Sequence, residues 1–507
     1  MRYRLPLMLT MLLSACGGGG GNPSTPASPG TPVTPVVVRG SLVGSTAVVP
    51  VTVNGVPLTK LDPTVFTALL EAGQPGTTLI TGVPRCTVTL NTVRYNTVGA
   101  NAEATDASTA IMVPSGADSA CSGARPVLLY AHATTVEKAF DMTNLNAYNE
   151  ARLVAAMFAA QGYIVVAPNY TGYAGSSLSY HPYLNADAQA NDMADALRAA
   201  RLAFAGVGAN ASARLFVTGY SQGGHVAIAT QRAMQMRFGS EFSVTAVSGM
   251  SGPYALLETG DAIFGGKPTS GVTTFLPLLI NAGQRANAAL YTTPGDIYES
   301  PYAAGIENLL PSARSLSELV GSGKLPATVL FARDSLPQGA GSAAYFGDNN
   351  LVKSSYRKAY LDDVAAHPCG ASASNPLDCA PVNLLRKLMQ KNDLRSYVPG
   401  VPMMLCGGDQ DPTVPYKNTV SALGYFRAGG VSAARLTEVN LDATVSAGDG
   451  YRNAKLGFQA AKAALAAAAV KAGSLADQAV QANYHAGLVA PFCIMATRDY
   501  FDSLTTP

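Results

Sequence analysis

Hydrophobic and polar residues alternate along two early segments of the chain. The segments 86–98 (CTVTLNTVRYNTV) and 108–114 (STAIMVP) have the period of two that is typical of half-buried strands, and their closeness predicts a hairpin. Short continuous apolar runs then begin at Arg125 (RPVLLYA), Gly162 (GYIVVAP) and Arg214 (RLFVTGY). Such runs predict strands that are buried on both faces of a parallel sheet.

Helical patterns separate these buried runs. Apolar residues recur with the helical period in 150–161, 186–204 and 223–238, and a further apolar strand follows in 242–252. This β-α-β-α succession predicts an α/β fold with a doubly wound, mainly parallel sheet and right-handed crossovers.

The alternation stops after Pro253 and returns at Val401. Between them, residues 254–398 contain helical pieces and Pro/Gly breaks without a strand–helix repeat. We therefore predict one α/β core, made of 36–253 (with an N-terminal extension) and 399–507, into which the helical segment 254–398 is inserted.

The first residues of the chain resemble an export signal. Residues 1–15 combine two arginines with an apolar run that is too short to span a membrane, and small residues precede Cys16. The tetrapeptide LSAC resembles the bacterial lipobox, so we expect lipid attachment at Cys16, followed by a Gly/Pro-rich linker up to residue 35. The alternative is an ordinary signal peptide that contains a cysteine. We expect an exported protein, either secreted or a cell-envelope lipoprotein, for which Gly17 favours the outer membrane.

Composition agrees with export and limits the expected partners. The chain has 507 residues, a net charge of +2 and no basic block after its N-terminus, so nucleic acid is not an expected partner. Six cysteines remain after Cys16, an even number as expected in an oxidising compartment. Many pairings are possible, but sequence order and the predicted fold favour Cys86–Cys121, Cys369–Cys379 and Cys406–Cys493.

The segment GYSQG (219–223) contains a candidate nucleophile. A G-x-S-x-G match alone means little in a glycine-rich chain, but this one directly follows a buried strand and opens a helix. That is the position of a nucleophile elbow, where the helix N-terminus stabilises a developing anion. We predict that Ser221 is a nucleophile rather than an inert serine in a turn.

A serine hydroxyl needs a base to take its proton and a carboxylate to orient that base. Among the five histidines, His485 lies after the last predicted strand and just before the C-terminal helix, as expected for the base. His225 lies on the elbow helix, His132 ends the first buried strand, and His181 and His367 precede prolines in loops. We predict that His485 is the base; a surface loop histidine is the alternative.

The acid is expected between the serine and the histidine, at the C-terminal end of a buried strand. Asp409 and Asp411, in CGGDQDPTVP, both meet this condition, and strand alternation does not choose between them. The D-x-x-V-P pattern and the longer reach past the sheet favour Asp411.

An oxyanion hole of this kind uses two backbone N–H groups. The first is expected from Gln222, directly after the serine. The second is expected from the loop that follows the first buried strand, at Ala133 or Thr134.

Together these motifs resemble secreted bacterial α/β-hydrolases of the secretory-lipase type, which are related to fungal lipase A-like enzymes. The resemblance covers about 86–253 and 401–507 and rests on RPVLLYAHATT, GYSQGGHVAIA, SGMSGPYAL, GGDQDPTVPY and the segment 167–201. It implies an α/β-hydrolase fold, a helical cap over an acyl-binding cleft, and a triad of Ser221, Asp411 and His485.

Two residues depart from the family pattern. Ala133 replaces the usual glycine after His132, and Asn169 stands where the family often has aspartate. The first departure affects the predicted oxyanion loop, and neither affects the triad.

The function favoured by these residues is an extracytoplasmic serine esterase or lipase. Its partners would be an ester substrate (a small molecule, a lipid or a polyester) and the membrane, through the N-terminal lipid anchor. The chemistry needs no cofactor, and no cluster of ligands predicts a metal site. The alternatives are a peptidase on the same fold and a non-catalytic cell-surface binding protein.

Overall fold

A nine-stranded sheet forms the centre of the fold. The computed structural model describes residues 38–370 and 372–505, so the predicted signal peptide, the lipidation site Cys16 and the linker lie outside the described residues. The strands are β1 (Leu42–Val48), β2 (Val51–Val53), β3 (Val56–Leu58), β4 (Thr87–Val98), β5 (Ala104–Ser115), β6 (Arg125–Ala131), β7 (Ile164–Pro168), β8 (Ala211–Tyr220), β9 (Ala246–Met250), β10 (Phe331–Ala332), β11 (Phe346–Gly347), β12 (Met403–Gly407) and β13 (Leu436–Asn440).

The strand order in the main sheet is β1-β4-β5-β7-β6-β8-β9-β12-β13. The strands from β7 to β13 in this order are parallel to one another, whereas β1, β4 and β5 add an antiparallel edge, with β5 pairing antiparallel to β7. The predicted mainly parallel sheet and the predicted hairpin, which is β4 and β5, are confirmed. Three central parallel strands are covered on both faces, since every residue of β7, β9 and β12 is buried.

Helices connect the parallel strands and also occur in the insertion (254–398). The α-helices are α1 (Pro63–Gly73), α2 (Thr77–Thr81), α3 (Asn149–Met157), α4 (Ala186–Ala203), α5 (Gln222–Met236), α6 (Leu256–Phe264), α7 (Val272–Arg285), α8 (Ser300–Ala303), α9 (Leu316–Gly321), α10 (Ser354–Ala366), α11 (Leu384–Asn392), α12 (Lys417–Ala428), α13 (Arg452–Lys471), α14 (Ala476–Asn483) and α15 (Ala490–Ser503). A π-helix, Tyr484–Val489, joins α14 to α15.

The insertion between β9 and β12 has a hydrophobic cluster of its own. Side chains of α6, α7, α10 and α11 pack together there, with Tyr183 and Leu184 contributed by the loop before α4. The insertion is not purely helical, because β10 and β11 form a short parallel sheet within it. The cluster explains how a segment without strand–helix alternation still folds: it buries its apolar side chains against one another.

Three disulfides have the predicted pairing. Cys86–Cys121 joins the residue before β4 to the β5–β6 loop, Cys369–Cys379 closes a loop of the insertion, and Cys406–Cys493 links β12 to α15. In the described part of the chain, no helix has the length and apolar character that a membrane span needs.

Candidate active site

Ser221 lies in the sharp turn between β8 and α5. Its backbone has a φ of 58° and a ψ of −119°, a conformation that a residue with a side chain adopts at an energetic cost. A Cβ at Gly219 would overlap the Gly223 carbonyl, and a Cβ at Gly223 would overlap the Ala131 carbonyl of β6. Both positions therefore require glycine, and their close packing fixes the serine at the end of its strand.

Three side chains from distant segments meet at this turn. Ser221 Oγ lies 2.8 Å from His485 Nε2, and His485 Nδ1 lies 2.6 Å from Asp411 Oδ2. Because a carboxylate can only accept a hydrogen bond, the proton of the neutral imidazole belongs on Nδ1, which leaves Nε2 to accept the serine proton. The structure thus brings the predicted serine, histidine and aspartate together in hydrogen-bonding order.

Of the two candidate aspartates, Asp411 is the one that contacts the histidine. Its second oxygen, Oδ1, accepts the backbone N–H groups of Thr413 (2.9 Å) and Val414 (3.0 Å), which orient the carboxylate in the loop after β12. Asp411 is 5% exposed, whereas Asp409 is exposed to solvent. The backbone N–H of Asp409 instead donates to Asp442 Oδ2 at 2.8 Å, which anchors the start of the same loop.

The segment that carries His485 is fixed from two directions. The Tyr220 hydroxyl, next to the nucleophile, donates to the His485 carbonyl, and the two rings lie 5.0 Å apart between centroids. The Cys406–Cys493 disulfide ties the strand before the acid loop to the helix after His485. The disulfide could be predicted from the sequence, whereas the contact of Tyr220 with His485 could not, because His485 lies in the π-helix.

The predicted oxyanion donors have different surroundings. Within the described residues, the backbone N–H groups of Gln222 and Thr134 make no hydrogen bond to the protein. The N–H of Ala133, in contrast, donates to both carboxylate oxygens of Glu150, at 2.9 and 3.2 Å. The N–H of Ala133 is thus occupied by Glu150, which favours Gln222 and Thr134 as the two donors.

Glu150, which sequence reasoning did not single out, lies in the first turn of α3. Its Oε1 also accepts the Tyr130 hydroxyl at 2.8 Å. Burial raises the pKa of the Glu150 carboxyl to about 7, although the hydrogen bonds from Ala133 and Tyr130 and the nearby His485 act in the opposite direction. An acidic residue in the first turn of a helix is common, so the sequence carries no signal of this contact.

The other histidines lie outside the triad. Burial lowers the pKa values of His132 and His225 to about 4 and that of His181 to about 3, so all three are neutral at pH 7. His181 Nε2 lies 2.6 Å from the side-chain nitrogen of Gln222 and supports the residue that follows the nucleophile. His367 follows α10 in the insertion.

Asn169 uses an amide where the family often has a carboxylate. Its Oδ1 accepts the Met142 N–H at 2.7 Å, and its Nδ2 donates to Ser108 Oγ at 2.9 Å. An ionised aspartate could not make the second bond as a donor, so the asparagine fits its buried surroundings.

An apolar cleft opens next to Ser221, between the sheet and the insertion. Thr134 Oγ1 lies 3.1 Å from the hydroxyl of Tyr183, one of the lining residues. The cleft is lined by Tyr183, Leu184, Ser221, Gln222, Pro253, Leu256, Thr259, Gly260, Ile263, Phe264, Thr269, Val272, Phe275, Leu276, Leu279, Met389, Thr413 and Val414. Most of these side chains are aliphatic or aromatic, so the space beside the serine suits an apolar group.

Known proteins share this architecture. The sequence profile of the prolyl oligopeptidase family matches residues 149–262, which include Ser221. No curated protein matches the chain. A ligand-bound form of the rice cell wall degrading esterase LipA from Xanthomonas oryzae superposes with a TM-score of 0.67 and 25% identity, over 92% of this chain and 100% of that chain. A protein from Legionella pneumophila superposes with a TM-score of 0.64 and 18% identity, over 91% of this chain and 98% of that chain.

The profile covers less than half of the chain, whereas the LipA superposition covers 92% of it. The protein therefore has the α/β-hydrolase fold, and these similarities support a serine hydrolase.

Proposed function

We propose that this protein is a serine carboxylesterase or lipase that acts outside the cytoplasm. The observation that carries the proposal is the hydrogen-bonded series from Ser221 through His485 to Asp411, set at a strained turn of the α/β-hydrolase fold. A serine hydroxyl is weakly nucleophilic by itself, and hydrogen bonding to a histidine that is oriented by a carboxylate activates it.

In the proposed reaction, Ser221 Oγ attacks the ester carbonyl while its proton moves to His485 Nε2. Asp411 stabilises the imidazolium, and the N–H groups of Gln222 and Thr134 donate to the developing oxyanion. Collapse of the tetrahedral intermediate breaks the ester bond, and the alcohol leaves with the proton from His485. A water molecule, deprotonated by His485, then hydrolyses the acyl-enzyme and restores the serine. No step requires a metal or a cofactor.

We propose an ester with an apolar acyl group as the substrate class. The apolar lining of the cleft beside Ser221 supports it, with the insertion (254–398) as a cap over the acyl group. The superposed LipA is itself described as an esterase.

A panel of p-nitrophenyl esters with acyl chains from C2 to C16 tests the proposal, with Ser221→Ala as the inactive control. We expect turnover of at least one ester by the wild-type protein and none above background by the variant. A wild-type protein that hydrolyses no ester in the panel would argue against the esterase proposal.

A peptidase is the second candidate function, because the matching family profile is that of prolyl oligopeptidases. Amino-acyl p-nitroanilides, assayed beside the esters, separate the two functions. Preference for the anilides by kcat/KM would replace the esterase with a peptidase. Inactivity toward both classes would favour a non-catalytic binding protein.

We also propose that the protein is a lipoprotein of the cell envelope, anchored through Cys16. The lipobox-like sequence before Cys16 and the three disulfides, which suit an oxidising compartment, support this location. Cys16→Ser should move the protein from the membrane fraction to the soluble fraction. Unchanged fractionation would contradict lipid anchoring.

A further inference from the structure

The loop after β6 is anchored by a carboxylate from another element. Glu150 of α3 accepts the Ala133 N–H through both oxygens, at 2.9 and 3.2 Å. The same carboxylate accepts the Tyr130 hydroxyl from β6 at 2.8 Å. One side chain thus connects the end of the strand to the second residue of the loop.

This loop lies directly against the nucleophile turn. Ala131 is paired with Gly219 across β6 and β8, and the N-terminal turn of α5 packs so closely on the loop that Gly223 has no room for a Cβ. The Ala133 N–H and the Thr134 N–H lie in adjacent peptide planes joined at the Ala133 Cα, so fixing the first plane restricts the direction of the Thr134 N–H. Thr134 is the remaining loop candidate for an oxyanion donor, since its N–H has no protein partner among the described residues.

We propose that Glu150 is a positioning residue for the oxyanion hole, which orients the Thr134 N–H toward Ser221 by binding the Ala133 N–H. This inference rests on the proposed esterase function. It assigns to Glu150 no contact with the substrate, so its effect is on the stabilisation of the transition state rather than on substrate binding.

The Glu150 side chain has the acceptor atoms that this role needs. It can receive one N–H on two oxygens, which restricts rotation of the peptide more than a single bond does. Its position in the first turn of α3 is favourable for negative charge. The cost is desolvation, which raises the pKa of Glu150 toward neutrality. Retaining a carboxyl group at such a cost is consistent with a functional role.

Three variants test the role of Glu150. Glu150→Ala removes both acceptors, whereas Glu150→Gln keeps the Oε1 position that receives both the Ala133 N–H and the Tyr130 hydroxyl. We expect kcat for the best p-nitrophenyl ester to fall about 10²-fold or more in Glu150→Ala, with KM within about twofold of wild type. Glu150→Gln should remain within about fivefold of wild type. Glu137→Ala, which removes an exposed glutamate from the same loop region, is the matched control and should match wild type.

An activity-independent measurement accompanies the kinetics. Hydrogen–deuterium exchange of peptides covering 132–140 should be faster in Glu150→Ala than in wild type and unchanged in Glu150→Gln. If Glu150→Ala does not fold, Glu150→Asp, whose carboxyl is one methylene shorter, takes its place with the same expectations.

The positioning role would be overturned if the alanine or aspartate variant had the same kcat and the same hydrogen–deuterium exchange rate as the wild-type protein. Equal losses of kcat in the alanine and glutamine variants would also overturn it, because they would point to the charge rather than the anchor. A wild-type protein without any esterase activity would instead remove the proposed function, and the exchange measurement would still decide whether Glu150 anchors the loop.

Discussion

Replacing Asp411 by asparagine should disable the base without disturbing the fold. Asp411 Oδ1 accepts two backbone N–H groups, so the asparagine oxygen is expected to remain there and its NH₂ group to face His485 Nδ1. The amide can only donate at that position, so the imidazole must change tautomer and carry its proton on Nε2. A protonated Nε2 cannot accept the Ser221 proton. We expect kcat to fall by about three to four orders of magnitude, or about 4–5.5 kcal/mol of transition-state stabilisation.

The assay is p-nitrophenyl ester hydrolysis at pH 8 by wild type, Asp411→Asn and the matched control Asp409→Asn. Asp409 is exposed and does not contact His485, so its variant should lose less than about tenfold. Thermal unfolding of all three proteins checks that the fold is intact. A large loss in Asp409→Asn with a mild one in Asp411→Asn would refute the assignment, and two mild effects would place the acid elsewhere.

Three further changes have expected outcomes. Ser221→Ala should reduce ester turnover by about 10⁴–10⁶-fold with an unchanged Tm, and residual turnover above about a tenth of wild type would contradict its role. Gly223→Ala should lower the Tm and the activity together, because its methyl group would overlap the Ala131 carbonyl; a variant with wild-type Tm would show that the loop can move away. The pKa of Glu150 is raised to about 7 from an ordinary value of 4.5, so its ionisation destabilises the folded protein as the pH rises through this range. The free energy of unfolding of Glu150→Gln, relative to that of wild type, should therefore increase by up to about 3 kcal/mol as the pH rises from 5 to 8, as measured by denaturant unfolding. A difference that does not change with pH would contradict this.

The parallel sheet and its connecting helices could be predicted because each buried strand is a continuous apolar run. β1 could not be predicted in the same way, since its residues are partly exposed at the edge of the sheet and lack a clear period. The insertion was equally difficult: its side chains pack around a cluster that includes Tyr183 and Leu184 from outside it, and no local pattern records such contacts.

Candidate residues for the site could be chosen by chain order and position relative to strands, as for Ser221 and His485. Strand alternation could not separate Asp409 from Asp411; the turn in which Asp411 receives the N–H groups of Thr413 and Val414 distinguishes them. The choice between Ala133 and Thr134 depended on Glu150, a tertiary contact that a sequence does not display.

Covalent labelling of the protein shows whether Ser221 is the activated nucleophile. The wild-type protein would be incubated with a fluorophosphonate, which phosphonylates activated serines, and its peptides analysed by mass spectrometry. We expect one adduct per chain, on the peptide that contains Ser221. Ester hydrolysis should decrease in proportion to the fraction of protein that is labelled. Labelling at another residue, or full ester hydrolysis by a protein that is completely labelled at Ser221, would contradict this assignment.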